Sequence, residues 1–183
     1  PEYYFKKLII WSGISSYKVS MRVIDHSIFG SGAKGLYVED SFYWYLGFLN
    51  SNVCLLFLTF LSPTLNYEAG HIGNIPIILK ENLNINQLVQ ENINISKSDW
   101  DSFETSWDFQ THPLLTPSAL DMAGRIMANQ PTLAEQYEQF KAVCEERFDI
   151  LKNNEEELNR IFITINGMQD ELTPEESDKD VTV

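Results

Sequence analysis

The amino-acid sequence predicts an α+β fold, a β-rich head built around a buried central helix and followed by a long amphipathic helix. Three observations carry that prediction. Residues 6–38 hold short β-branched and aromatic runs punctuated by SGISS and the glycine-rich FGSGAKG. Phe42 to Leu61 is an uninterrupted stretch without charge. Thr132 to Gly167 carries apolar residues at steps of three and four between recognisable helix start and stop signals.

In the head, KLIIW (7–11), YKVSMRVI (17–24, with Val19, Met21 and Val23 alternating) and LYV (36–38) read as strands. Asp40 or Ser41 suits the cap of the next helix, which Pro63 stops soon after Leu61. Apolar residues on every face of that helix place it at the centre of the domain. The run has about the length of a bilayer span, but Asn50, Ser51 and Asn52 sit in its middle and no Lys/Arg cluster flanks it. A buried helix and no membrane contact is the expectation. Residues 66–79 read as a loop into a short strand, with Pro76 at an edge or at its first residue. Residues 82–117 read as an irregular connector in which INQLVQENI (85–93) is compatible with one helix and Trp100, Phe103, Trp107 and Phe109 act as anchors.

Thr132 and Glu135 form a capping box after Pro131, and the apolar stripe Leu133, Tyr137, Phe140, Cys144, Phe148, Leu151, Leu158, Phe162 and Ile165 runs on to Gly167 as C-cap. Such a helix is about 50 Å long. Asp170 to Val183 reads as an acidic, loosely ordered tail. The organisation is thus a domain over 1–117, a helical spacer over 118–168 and a tail over 169–183.

The net charge of −13 is unevenly spread: residues 1–38 hold five basic and two acidic residues, residues 100–183 six basic and 18 acidic. A nucleic-acid face is therefore confined to the N-terminal end. Cys54 and Cys144 match no metal or redox spacing and read as reduced thiols, which with the absence of a signal-like opening suggests a cytoplasmic protein. All four methionines are internal, so the chain reads as a segment of a longer protein.

Catalytic motifs fail on inspection. Gly30-Ser-Gly-Ala-Lys-Gly35 matches G-x-G-x-x-G by letter, but Leu36-Tyr-Val38 reads as extended where a dinucleotide site needs a helix, and Glu39 and Asp40 come too early. No two prolines are adjacent, so the Asn/Asp/Ser-Pro-Pro-aromatic tetrad of an amino-methyltransferase is missing. No lysine has an acid two residues before it, as a PD…(D/E)-x-K nuclease requires. His26, His71 and His112 lack ligand-spaced partners and read as surface or hydrogen-bonded residues. The expectation is no catalytic residue, no metal and no cofactor site in this chain. What remains is a polar cluster from Ser12 to Arg22. Within it Ser15, Ser16, Tyr17, Lys18 and Arg22, joined by Lys34 on the glycine-rich turn, suit phosphate and base-edge contacts. An ordinary polar hairpin has the same composition.

Four stretches, LGFLNSNV (46–53), SPTLNYEAGHIGNIPI (62–77), WDSFETSWDFQTHPLL (100–115) and the run from Asn154 to Val183, resemble the BREX-type (bacteriophage exclusion) adenine-specific DNA methyltransferases, relatives of fused restriction-modification enzymes. His71 departs from a Gly-Asp-Ile pattern and Ser62 from an Asn before Pro-Thr-Leu-Asn. The resemblance implies a phage-defence enzyme whose S-adenosylmethionine site lies in a catalytic domain outside this chain. The chain itself would be the end of a target-recognition-like module with its helical spacer. Implied partners are double-stranded DNA, the remainder of the parent and other defence-system subunits. Docking of a partner subunit through the long helix is the alternative.

Overall fold

A computed structural model describes residues 2–80, 83–115 and 132–181. The head contains a three-stranded antiparallel sheet in which β1 (Leu8–Ser12) lies between β2 (Arg22–Ile24) and β3 (Ala33–Leu36). Ile9 faces Val23 on one side and Leu36 on the other. Leu8, Ile9 and Trp11 are buried, as befits a central strand covered on both faces. The outer strands are shorter and shifted relative to expectation. Residues 17–21 leave the ladder, although Val19 and Met21 still point into the core. Ala33, Lys34 and Gly35, read as turn, are strand residues opposite Ser12, Trp11 and Ile10.

The expected single helix over 42–61 is two helices, α1 (Phe42–Leu49) and α2 (Asn52–Leu61), bent by 66° at the break. Chemistry at Asn50 and Ser51 causes the break. The Asn50 amide accepts from the Met21 backbone N–H at 2.9 Å and donates to the Met21 and Leu46 carbonyls. The Ser51 hydroxyl accepts from Cys54 N–H as the N-cap of α2. Ser41 occupies the N-cap position of α1 without a side-chain cap bond. Among the described residues no single helix is long and apolar enough to cross a membrane. Trp44, Phe48, Leu49, Val53, Cys54 and Leu58 of the pair are buried.

Residues 66–80 form a short helix, α3 (Ala69–Gly73), and then extended chain; the expected strand at 76–79 does not form. The expected irregular connector begins instead with an 18-residue helix, α4 (Leu83–Trp100), which buries Ile85 and Val89. Its six Asn and Gln residues between positions 84 and 94 mask the apolar stripe. Trp100, Phe103 and Trp107 are exposed and do not anchor the following turns, which end in a single 3-10 turn at Pro113–Leu115.

The long helix α5 (Leu133–Asn166) starts at the Thr132/Glu135 capping box and ends at Gly167 in the left-handed conformation, φ 67°. Only its second half is a core element. Leu151, Leu158, Phe162 and Ile163 are buried, whereas nothing from Leu133 to Ile150 is. Phe162 meets Trp44 and Phe48 edge-on at 5.4 and 5.6 Å. Gly47 lets α1, α4 and α5 converge, since a Cβ there would stand 2.8 Å from Val89 Cγ2. The expected 118–131 part of the spacer lies outside the described residues.

Residues 170–181, read as loosely ordered, fold back over the molecule. Leu172 packs on the core, and the buried Glu176 carboxylate accepts from the Asn159 amide at 2.9 Å. Asn159 also accepts from the Asn52 backbone N–H, so one side chain joins α2, α5 and the tail. By composition this stretch looked detachable; packing of Leu172 and a buried carboxylate with its hydrogen bonds satisfied hold it in place.

Candidate nucleic-acid interface

The structure sets Tyr17, Lys18 and Arg22 each near acidic groups of the same chain. Lys18 Nζ lies 3.0 Å from Glu176 Oε2, with side-chain exposures of 16% and 6%. The Tyr17 hydroxyl donates to Asp180 Oδ1 at 2.5 Å, and Lys179 stands over the Tyr17 ring. Hydrogen bonds from Ser177 and Tyr17 hold the Asp180 carboxyl below its usual range. Surrounding protein lowers the Arg22 guanidinium pKa through desolvation, and Glu155 opposes that shift. By surface area Arg22 is exposed, and a guanidinium so placed stays charged.

Ser15 is consumed by its own turn, its hydroxyl donating to the Tyr17 carbonyl while its N–H donates to the Leu65 carbonyl. Ser16 is exposed. Lys34 sits on β3 and pairs with Glu68 at 3.1 Å, away from the Tyr17–Arg22 group in the sheet. The stretch singled out as a cationic face is thus largely neutralised from within.

A second group was missed by the sequence reading. Lys6 Nζ lies 4.6 Å from the Tyr37 ring centroid and 5.3 Å from that of Tyr3. Lys7 Nζ lies 4.4 Å from Phe42 and 4.6 Å from Tyr43. Neither ammonium has a described carboxylate within 4.0 Å. Tyr3, Tyr37 and Phe5 are 47%, 39% and 58% exposed. The signal was present in YYFKK at 3–7, but interleaved aromatic and basic residues were absorbed into the start of a strand.

Among the described residues no group of three or more His, Cys, Asp or Glu is placed to hold a metal ion. His71 and His112 accept backbone N–H groups through Nδ1, and His26 lies beside Asp25. Burial pushes the Cys54 thiol up to about 12. A cleft of about 630 Å³ opens between α4 and the first half of α5, lined by Asn94, Lys97, Asp101, Gln136 and Phe140 among others; Lys97 there pairs with Asp101 and Asp108.

No family model matches the chain. It is 40% identical over 182 residues, 98% of its length, to the adenine-specific methyltransferase PglX of Lacticaseibacillus casei (strain Zhang), of which it covers 15%. It is 27% identical over 175 residues, 93% of its length, to the adenine-specific methyltransferase BrxX of Escherichia coli O9:H4 (strain HS), of which it covers 13%. Over nearly its whole length, therefore, the chain is homologous to a small part of PglX and BrxX.

Proposed function

We propose that this chain is a non-catalytic DNA-recognition segment of an adenine-specific DNA methyltransferase of the phage-defence type. The observation that carries the reading is end-to-end similarity to about one seventh of such an enzyme, in a chain without the proline tetrad that grips a target amino group. S-adenosylmethionine binding and base flipping are assigned to the rest of the parent, and the sheet-bearing head to duplex DNA near the target adenine. Of the residues first singled out, Ser16, Tyr17 and Arg22 keep exposed side chains suited to that role. Lys18 serves the fold.

One observation favours a second reading, docking of a partner through α5. Its first half leaves Leu133, Tyr137 and Val143 exposed along an otherwise amphipathic helix. Exchanging this segment between PglX and BrxX separates the two. A recognition segment carries the methylated DNA sequence with it, read by sequencing methylated adenines. Unchanged site choice with loss of a co-purifying subunit supports docking instead.

A further inference from the structure

We infer that the aromatic and lysine cluster around Tyr3, Lys6, Lys7 and Tyr37 is a binding surface for unpaired nucleotides of a DNA strand. The inference rests on the DNA-recognition reading and extends it to a strand that is not in the duplex.

Charge comes first. In a chain of net −13, cations not matched by the chain's own acids are scarce. In the head, Lys18 and Lys34 have carboxylate partners and Arg22 feels Glu155, whereas Lys6 and Lys7 have ring faces and, for Lys7, the neutral Tyr43 hydroxyl at 3.3 Å beside them, with no described carboxylate within 4.0 Å. Contact with a ring face holds an ammonium in place without cancelling its charge, so both remain available to a phosphate.

The rings decide the form of the partner. Tyr3 and Tyr37 lie 5.5 Å apart at a 40° tilt, and Tyr4 meets Phe29 edge-on at 5.9 Å. Each of Tyr3, Tyr4, Phe5 and Tyr37 keeps more than a third of its surface in water. Intact duplex hides its base faces in the stack and offers such rings nothing to cover. An unpaired base presents a π face, and lysines next to exposed aromatics are the combination that single-strand surfaces use.

The backbone holds the rings outward. Phe5 (φ 64°) and His26 (φ 51°) are both in the left-handed region, and Phe5 N–H donates to the Ser27 carbonyl at 3.2 Å, joining the two turns. Non-glycine residues in that region are costly and persist where neighbours fix them. The consequence here is a Phe5 ring left 58% exposed to solvent.

The test uses the 183-residue chain with a fluorescently labelled single strand and a matched hairpin duplex, followed by anisotropy across a salt series. The single strand binds more tightly than the duplex. Tyr3→Ala with Tyr37→Ala weakens single-strand binding by roughly five-fold or more per ring, while the Phe versions of both retain it. Lys6→Ala with Lys7→Ala lowers the salt slope by about 1.4, the share of two phosphates on a single strand. Duplex bound as tightly as single strand, with no loss in the Tyr→Ala pair, overturns this inference and leaves duplex recognition standing. Failure to bind either DNA, or binding only to anionic phospholipid vesicles, overturns both.

Discussion

The head carries two stretches in which basic and aromatic residues adjoin, Tyr3 to Lys7 and Tyr17 to Arg22, and the fold treats them in opposite ways. The second is met by Glu176, Asp180 and Glu155. The lysines of the first meet aromatic rings and the neutral Tyr43 hydroxyl, and no described carboxylate. By composition the two are alike. What separates them is a set of acidic groups distant in sequence, Glu155 on α5 and, more than 150 residues away, Glu176 and Asp180 of the segment that folds back onto one stretch and leaves the other open.

The most disruptive way to break that contrast is Glu176→Ala. It leaves the Lys18 ammonium largely enclosed and takes an acceptor from buried Asn159. We expect a loss of about 3 kcal/mol in urea unfolding, at the low end for a broken buried pair because Lys18 retains some solvent contact. A cost below about 0.5 kcal/mol, the value of an exposed pair, would put Lys18 back among the available cations.

A smaller effect is read at the cysteines. Cys54 is buried with its thiol pushed up to about 12, while Cys144 is partly exposed. In the native protein a thiol reagent therefore labels Cys144 promptly and Cys54 only through opening. Because Asn159 joins the N-terminal turn of α2 to the tail, Glu176→Ala speeds Cys54 labelling and leaves Cys144 unchanged. Equal acceleration at both sites would show general loosening instead of release at the clamp.

The smallest effect is in pH. The Asp180 pKa is lowered in the folded state, by Ser177 first and Tyr17 second. Its contribution is therefore complete above the unfolded carboxylate range and is lost as pH falls through the lower folded value. Tyr17 ring resonances should shift in that acidic window while those of Tyr3 and Tyr37 stay put. Coincident shifts in all three would mean that the stretches respond as one.

What the sequence made legible was local. The Thr132/Glu135 box and Gly167 fix the ends of α5 through residues adjacent in the chain, and both appear where their chemistry puts them. The DNA-contact assignments at Tyr17, Lys18 and Arg22 depended on what lies opposite, and Lys18 and Glu176 are 158 positions apart. The break at Asn50 was hidden for the same reason, because the peptide it serves is at Met21. Asparagine-rich α4 was underestimated because weak helix formers cover a stripe that only packing against α1 and α5 rewards. The Lys6 and Lys7 cluster was readable but lost, since a strand pattern and a ring-lysine pattern overlap in YYFKKLII.

Asn50 also answers a question the short sheet raises. β2 pairs with β1 through only three residues, too few for the ladder alone to forbid slippage. A shift by one position would turn Val23 to water and drive the Arg22 guanidinium inward. By gripping both the N–H and the carbonyl of Met21, the residue just before β2, the Asn50 amide pins where that strand begins. The helical layer thereby dictates the alignment of the sheet's edge, and a side chain that interrupts one element sets the phase of another.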